Sequence, residues 1–448
     1  MVLCLAVRLS ARAENETMTT MSSLSSQPYK GTRDYFPEDK RTQNYIFNTW
    51  RTVVERFGYE EYGAPILEPI DIYAAKSGQE LVNEQTYTFT DRGGRNVAIR
   101  PEMTPTISRM VAAKRQELAY PARLYSIANF MRYERPQRGR EREFWQLNVD
   151  IFGVDEVTAD IEIITIADTI LKEFGAKSGD YTIRINNRKF IQFMMAGYLE
   201  LDQQQAQQMT KLFDRRNKIT HQDFESQAGV IFRNDSDERI QKITALVDAT
   251  SISALPKELQ TASALSEITS VFDSLKKAGV TDIVFDTTLM RGLDYYTGTV
   301  FEVFDTHPDN NRSLFGGGRY DGLVGLFGAE PISAVGMAPG NTMIENFLAV
   351  RGLIPAQKSL TDIYIVVIDD AFDQADDVTR QLRASSLNIE VDFSNRKIDK
   401  KIKTALKKNI SHILFVGKND DNNYSLKNVT NEQEQKLSIE AIITQFAR

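Results

Sequence analysis

Two strand-like segments joined by an arginine-rich stretch constrain the fold more than any other feature of the sequence. Residues 143–153 alternate between apolar and polar side chains. The apolar set is Trp145, Leu147, Val149 and Ile151, and the polar set is Gln146, Asn148 and Asp150. Because side chains on a strand point alternately to opposite faces, one face suits a core and the other an accessible surface. Residues 123–134 also read as a strand, so the connecting stretch predicts a long hairpin loop.

That connecting stretch carries arginine at positions 132, 135, 138, 140 and 142, although the chain has a formal net charge of -7. Guanidinium groups bind phosphate as rigid forks, and a cluster of them suits a polyphosphate or a nucleic-acid backbone. Local basic patches determine phosphate binding, so the acidic balance is no objection. The alternative is a solvated loop whose arginines pair with Glu134, Glu141 and Glu143. A phosphate-binding loop beside a polar strand face indicates an enzyme that activates a small polar substrate with a nucleotide.

Composition excludes several classes of site. Cys4 is the single cysteine, which excludes disulfides within the chain and fits a reducing, cytoplasmic location. The three histidines, His221, His307 and His412, are scattered, which argues against a histidine metal site or a Ser-His-Asp triad. No apolar run approaches the roughly 20 residues of a membrane span, so no membrane partner is expected. Neither a P-loop motif nor a dinucleotide-binding motif is present.

The 448 residues are enough for two or three domains. Residues 1–28 are expected to form a disordered N-terminal extension. Residues 29–350 predict an α+β domain with an antiparallel sheet, flanking helices such as Arg41–Phe57, and a helical insertion at about 192–278. Residues 351–360 read as a linker. Residues 361–448 predict a small α/β domain with buried strands in DIYIVVID, NIEVDF and HILFVG.

Five motifs in order resemble the histidyl-tRNA synthetase family of class II aminoacyl-tRNA synthetases, over nearly the whole chain from Lys30. They are KGTRDYFPED, YGAPILEP (motif 1, with Pro65), FMRYERPQRGREREFWQLNVDIFG (motif 2), RGLDYYTGTVFE and GGGRYDGLV. The resemblance implies a class II catalytic domain for residues 29–350 and an anticodon-binding domain for residues 361–448. It also implies a homodimer with motif 1 at the interface.

The reaction that the resemblance implies is activation of L-histidine with ATP to histidyl-adenylate, followed by transfer to the 3' end of tRNA(His). Mg²⁺ is expected beside the β- and γ-phosphates, and no metal site made by protein side chains is predicted. The attacking carboxylate is already ionised at neutral pH, so no general base is required. Catalysis is then positioning and charge stabilisation, which arginines supply.

The resemblance also assigns residues, carried over position by position. The catalytic residues are expected to be Arg132 and Arg291, on opposite sides of the α-phosphate. The ATP site is expected to comprise Arg132, Glu134, Arg140 and Arg291. The histidine site is expected to comprise Glu102, Thr104, Arg132, Gln146, Asp150, Arg291, Tyr295 and Tyr296. Within it, Glu102, Thr104 and Gln146 accept from the α-ammonium. Asp150 accepts from the imidazole, Tyr296 donates to it and Tyr295 forms a wall. The remaining loop arginines and Gln137 are candidates for ATP and for the tRNA acceptor end.

Two departures from the family pattern leave alternatives open. Asp150 stands where many members carry Glu. Thr342 and Met343 stand where motif 3 normally ends in Glu-Arg, whose arginine usually stacks on adenine and reaches the γ-phosphate. A non-enzymatic alternative is the paralogous regulatory subunit of ATP phosphoribosyltransferase, which usually lacks an RGLDYYTG-type signature and the anticodon domain. A histidyl-synthetase-like RNA sensor would be expected to have a degraded pocket and an attached effector domain.

Overall fold

The computed structural model describes residues 24–74, 84–216, 219–233, 237–249, 251–260, 263–290, 295–310, 312–356, 358–418 and 422–447. Most of the expected N-terminal extension, residues 1–28, lies outside them. The chain divides into two compact units, Met1–Ile354 and Pro355–Arg448. Each unit has its own hydrophobic core.

The first unit mixes helices and strands along the chain. Its helices are α1 Pro37–Arg56, α2 Asp71–Ala74, α3 Thr104–Ala113, α4 Thr158–Glu173, α5 Arg188–Gln192, α6 Gln203–Asp214, α7 His221–Phe232, α8 Asp237–Val247, α9 Lys257–Gln260, α10 Ser263–Lys277 and α11 Asn341–Val350. Its strands are β1 Glu60–Glu61, β2 Leu67–Pro69, β3 Thr88–Thr90, β4 Asn96–Ile99, β5 Ala122–Met131, β6 Glu143–Phe152, β7 Tyr181–Asn187, β8 Ile283–Phe285, β9 Thr299–Asp305, β10 Ser313–Arg319 and β11 Ala334–Met337.

Within the described residues, eight of these strands form one sheet in the order β1-β5-β6-β11-β10-β9-β7-β8. Only the two end pairs, β1 with β5 and β7 with β8, are parallel. The other pairs are antiparallel. The predicted α+β class with a large antiparallel sheet is confirmed. A smaller sheet, β2-β4-β3, precedes α3.

The predicted hairpin forms the second and third strands of the large sheet. Strands β5 and β6 pair from Ala122↔Phe152 to Met131↔Glu143 without a break. The apolar face of β6 packs in the main core with α1 and α4. Helix α1 contributes Trp50, which is fully buried, so Trp50→Ala should cost about 3–5 kcal/mol of folding free energy. This packing leaves the opposite face of the hairpin for a different use.

Strands β11 and β10, which carry glycines where they approach the pocket, continue the sheet beside β6. Gly336 in β11 pairs with Asp150, and Gly318 in β10 pairs with Gly336. A Cβ at Gly336 would collide with the Asp150 carboxylate, and one at Gly318 would lie 3.0 Å from the Tyr296 ring. The GGG stretch lies in strand β10, where its glycines permit the close approach of the neighbouring strand and of the Tyr296 ring.

The stretch predicted as a helical insertion, about 192–278, contains α6 to α10 and a π-helix at Phe193–Tyr198. Its buried apolar side chains join the main core of the first unit. The chain then returns to the sheet through β8 and β9.

The second unit is a small α/β domain. Its elements are β12 Ile363–Val367, α12 Phe372–Ala384, β13 Ile389–Asp392, α13 Ile398–Lys407, β14 His412–Val416, β15 Tyr424–Asn428, β16 Glu434–Leu437 and α14 Ile439–Phe446. The strand order is β13-β12-β14-β15-β16, with β12 parallel to both neighbours. The three strands predicted from sequence are present, and the short, more polar β15 and β16 were missed.

Candidate functional site

The face of the β5–β6 hairpin turned away from the main core is polar and largely buried. It carries Gln146, Asn148 and Asp150 from β6, with Ser126 of β5 directly opposite Asn148. Asn148 is 3% exposed and Asp150 is 4% exposed. Polar groups buried this deeply are normally hydrogen-bonded, so this face has the chemistry of a binding-pocket floor.

Tyr320, which the sequence motifs did not assign to the site, fixes the orientation of the Asp150 side chain. The Tyr320 hydroxyl donates to Oδ1 of Asp150 at 2.5 Å. Burial raises the pKa of Asp150 to about 7. A carboxylate that titrates near neutrality in a closed pocket is typical of a functional position. Tyr320 follows the GGGR stretch, and nothing in the sequence pattern connects it with residue 150.

Residues at the start of α3 form one wall of the pocket. Glu102 is 5% exposed and accepts a 3.1 Å hydrogen bond from the Tyr295 hydroxyl. Burial, followed by the charge of Glu102, raises the pKa of Tyr295 well above its ordinary value, so the phenol stays protonated. The Thr104 hydroxyl lies close enough to Tyr295 to oppose that shift. The sequence-predicted residues Glu102, Thr104 and Tyr295 are therefore brought together.

Three tyrosine rings complete this part of the pocket. Tyr295 contacts Tyr296 edge to face at a centroid distance of 5.0 Å, and Tyr320 at 5.9 Å. Tyr295 and Tyr320 are buried in a small core shared with α3 and β6. Tyr296 is only partly buried. Aromatic walls around few polar groups are the usual lining of a small-molecule site.

Arg132 begins the arginine loop and lies against the same pocket. Its Nε donates to the carbonyl oxygen of Pro101 at 2.8 Å, next to Glu102. Its guanidinium lies 5.2 Å from the centroid of the Phe144 ring. One nitrogen is 4.0 Å from Glu134, a distance that leaves the fork available to an anionic ligand. Gln146 lies on the neighbouring strand, where Nε2 is 3.5 Å from the oxygen of Ala338.

The other loop arginines divide into exposed and buried groups. Arg140 has a 60% exposed side chain and pairs with Glu134 at 3.1 Å. Arg135 and Arg138 are exposed, and Arg138 donates to the oxygen of Asp309 at 3.2 Å. The ion pair of Arg140 matches part of the solvated-loop alternative. The three exposed side chains still present a local positive surface.

Arg142 corrects one expectation from the sequence. It was grouped with the arginines available to ATP or tRNA, but it is 8% exposed. Its guanidinium lies 3.9 Å from the centroid of the Tyr133 ring and donates to the Tyr29 hydroxyl at 2.9 Å. Its Nε donates to the oxygen of Glu134 at 3.2 Å. Arg142 therefore fastens the loop to the segment before α1, a contact that no local pattern predicts.

Helix α11 meets the loop where the family pattern expects an arginine. Met343 lies under the loop, where a Cβ at Gly139 would collide with its sulfur. Thr342 donates to Glu141 at 3.2 Å, and Arg33 pairs with Glu345 at 2.8 Å. The first turn of α11 therefore supports the loop through apolar and hydrogen-bonded contacts. Arg291, expected on the α-phosphate, lies outside the described residues.

The second unit has its own candidate surface at the carboxyl ends of β12 and β13, here called the carboxyl edge. Phe372, after β12, and Phe393, after β13, are 38% and 52% exposed, with ring centroids 6.3 Å apart. Helices α12 and α13 pack on opposite faces of the sheet. In open α/β sheets ligands bind at such a point, where the chain switches faces.

Basic groups accompany the two rings. Arg396 pairs with Asp392 at 2.8 Å. The buried Lys401 donates from Nζ to the oxygens of Val367 and Asp392, both at 3.1 Å. Although burial opposes ionisation, hydrogen bonds from Ser394 and Tyr364 and the charge of Arg396 lower the pKa of Asp392 to about 2. Exposed aromatic rings beside fixed cations suit single-stranded nucleic acid.

The described residues contain no cluster of three histidine, cysteine or acidic side chains arranged to hold a metal ion. None of their helices is long and apolar enough to cross a membrane.

Comparisons with known proteins agree with both units. Residues 31–341 match the family model described as "Histidyl-tRNA synthetase", and residues 362–448 match "Anticodon binding domain". A "Histidine--tRNA ligase" of Leptospira biflexa serovar Patoc is 40% identical over 421 residues, which cover 93% of this chain and 96% of that protein. One of Haloarcula marismortui is 35% identical over 433 residues, covering 94% and 97%. The crystal structure of histidyl-tRNA synthetase from Nostoc sp. PCC 7120 superposes with a TM-score of 0.79 at 24% identity, covering 94% of this chain and 99% of that one.

Proposed function

This chain belongs to the histidyl-tRNA synthetase family, and from that premise we propose how its residues perform the reaction. The chain is a histidine–tRNA ligase, which uses ATP to join histidine to tRNA. The regulatory-subunit alternative is not favoured, because relatives that match more than nine tenths of the chain are named as ligases. The RNA-sensor alternative is not favoured for the same reason.

The buried polar face of β6 beside Arg132 is the main support for the roles proposed for individual residues. In the first step a carboxylate oxygen of histidine attacks the α-phosphorus of ATP, and the bond to the β-phosphate oxygen breaks. Pyrophosphate leaves with the bonding electrons. Arg132, positioned by Pro101, binds the histidine carboxylate and the α-phosphate together. The guanidinium then stabilises charge that develops on the α-phosphate in the transition state.

The histidine side chain is recognised deeper in the pocket. Asp150 accepts from an imidazole N–H, and Tyr296 donates to the other ring nitrogen. Tyr295 closes the wall beside them. At the other end, Glu102, Thr104 and Gln146 accept from the α-ammonium. A pocket of buried, oriented polar groups rejects isosteric side chains because the wrong ligand leaves those groups unpaired.

ATP is held by the loop. Arg140 exchanges its ion pair with Glu134 for the triphosphate, and Glu134 then faces the nucleotide. Arg291 is proposed to act on the α-phosphate opposite Arg132. Mg²⁺ accompanies the β- and γ-phosphates and neutralises their charge.

tRNA contacts both units. Arg135, Arg138 and Gln137 are exposed on the loop and suit the acceptor end, where the ribose hydroxyl attacks the adenylate carbonyl and AMP leaves. At the carboxyl edge, Phe372 and Phe393 stack on anticodon bases, with Arg396 beside the backbone phosphates. A homodimer through motif 1 and a cytoplasmic location stay predictions.

The experiment that tests this function is charging of tRNA. Purified protein is incubated with ATP, Mg²⁺ and a tRNA(His) transcript, with each of the twenty amino acids in turn. The expected result is acid-precipitable product with histidine alone. A folded protein that charges no tRNA, or that charges it with another amino acid, would refute the assignment.

A further inference from the structure

The pocket floor holds three buried polar groups to which the reaction scheme gives no role. They are the amide of Asn148, the hydroxyl of Ser126 and the hydroxyl of Tyr62. Asn148 and Ser126 face each other across the β5–β6 pair. Tyr62 lies beside them, because its backbone N–H donates to the oxygen of Tyr125 at 2.8 Å. Burial and the charge of Asp150 raise the pKa of Tyr62 well above its ordinary value, which places its phenol near that carboxylate.

Within the part of the chain that the structure describes, the amide nitrogen of Asn148 has no hydrogen-bond partner, and the hydroxyls of Ser126 and Tyr62 have only each other. The atoms concerned are Nδ2 of Asn148, Oγ of Ser126 and the phenol oxygen of Tyr62. Leaving one buried polar atom unpaired costs about 1–3 kcal/mol. An amide nitrogen left in this way is unusual in a native interior, where such groups are nearly always satisfied. A ligand or a ligand-bound water that accepts from Asn148 would supply the missing partner.

The position of Asn148 indicates which ligand that is. It lies on β6 between Gln146 and Asp150, and all three side chains share one face. The proposed function puts the α-ammonium at Gln146 and the imidazole at Asp150. An ionised carboxylate can only accept hydrogen bonds, whereas the Asn148 amide nitrogen can only donate. The floor therefore adds a donor beside the short side chain of Asp150.

We propose that Asn148 is a further specificity-determining residue, whose amide N–H donates to a water that accepts from the imidazole N–H of bound histidine and donates to Asp150. This water extends the short side chain of Asp150 and leaves the other ring nitrogen to Tyr296. A water needs two to four polar partners, which the ring, Asn148 and Asp150 supply. This inference rests on the proposed function of the pocket. It adds a residue that reads the ring rather than the ammonium or the phosphates.

The test measures histidine-dependent exchange of pyrophosphate with ATP for wild type, Asn148→Ala and a matched control, Asn129→Ala. Asn129 is on the same hairpin, but it faces the other way and bonds Glu143. Asn148→Ala should raise the KM for histidine roughly tenfold, as expected for one lost buried hydrogen bond. The KM for ATP and the kcat should stay near wild type. Asn129→Ala should leave the KM for histidine unchanged.

Two further measurements distinguish a role of Asn148 in recognising the histidine ring from a role in stabilising the fold. Thienylalanine keeps the ring shape but has no ring nitrogen. Asn148→Ala should therefore lower the preference for histidine over thienylalanine by the same factor of roughly ten. Because the amide nitrogen has no partner in the empty pocket, the melting temperature without histidine should not fall, while the rise caused by histidine should shrink.

Unchanged histidine KM and preference in folded Asn148→Ala would overturn the proposal. Equal rises in the KM values for histidine and ATP, with a lower melting temperature, would also overturn it, since they indicate a structural role. Absence of exchange by the wild type would refute the proposed function instead. Calorimetric titration with histidine alone would then still test Asn148 by itself, and equal affinities of wild type and variant would overturn its assignment.

Discussion

The hydroxyl of Tyr320 donates to Oδ1 of Asp150 across 2.5 Å, and both residues are buried. Gly336 leaves the space that the carboxylate occupies. The hydrogen bond directs the short aspartate side chain, so the carboxylate cannot swing toward solvent. This relationship gives Asp150 a fixed place in the pocket, which the family pattern alone did not supply.

The first prediction concerns Asp150→Asn. Burial raises the pKa of Asp150 from its ordinary 3.8 to about 7 in the folded chain. The folded state therefore binds the proton more tightly than the unfolded state, and the ionised carboxylate is destabilising above pH 7. At pH 8 the variant should be more stable without ligand, by at most about 4 kcal/mol at 1.36 kcal/mol per pKa unit. Below about pH 4 this advantage should vanish.

Denaturant unfolding at pH 8, 6 and 4 measures that effect. Histidine should stabilise the wild type but not Asp150→Asn, since the amide is no substitute for an ionised acceptor. Equal stability of the two proteins at pH 8 without ligand would contradict the raised pKa of Asp150. Undiminished protection of Asp150→Asn by histidine would contradict the assignment of Asp150 to the imidazole.

The second prediction concerns Arg132→Lys. Lysine keeps the charge but loses the fork that binds carboxylate and phosphate together. The exchange rate should fall roughly a hundredfold, the scale of one lost transition-state donor. Arg95→Lys, an exposed arginine paired with Asp91, is the matched control and should be neutral. Full activity of Arg132→Lys would show that another group bridges the two reacting parts.

The third prediction concerns Met343. A thioether has no charge, so it cannot replace a guanidinium at the γ-phosphate. ATP binding should depend strongly on Arg140, and Arg140→Ala should raise the KM for ATP. Although the Met343 sulfur lies against Gly139, Met343→Arg should tighten ATP binding by about 1 kcal/mol, as one charge-assisted contact. An unchanged KM for ATP in Arg140→Ala would place the triphosphate elsewhere.

The fourth prediction separates the two units. Phe393→Ala should weaken tRNA binding by about 1–3 kcal/mol, the measured range for one base–aromatic stack. Charging should therefore show a higher KM for tRNA, while pyrophosphate exchange without tRNA stays unchanged. Phe446→Ala, in the same unit but away from the carboxyl edge, serves as the control. A Phe393→Ala protein with a normal KM for tRNA would remove the carboxyl edge from the RNA surface.

The sequence was informative where local periodicity determines structure. The alternation of β6 identified its two faces, and helical spacing identified α1 with Trp50 inside. Ordered motifs then placed Glu102, Arg132 and Asp150 in one site. These features depend on neighbours in the chain or on a shared family pattern.

Contacts between distant segments could not be predicted in that way. Tyr320 contacts Asp150 because β11 pairs with β6 and β10 pairs with β11, which brings the end of β10 close to Asp150. Arg142 looked like its neighbours in the loop, yet it bonds Tyr29, 113 positions away in the chain. The unpaired amide of Asn148 became visible only once its surroundings were known. In each case the tertiary environment, not the residue type, determines the role.

The central claim is that this pocket makes histidyl-adenylate, and pyrophosphate exchange tests it most directly. Purified protein is incubated with ATP, Mg²⁺ and labelled pyrophosphate, with and without histidine, in the absence of tRNA. We predict that label enters ATP only when histidine is present, and that Arg132→Lys reduces the rate. A folded protein that binds histidine but moves no label into ATP would contradict the claim and would favour the regulatory paralogue.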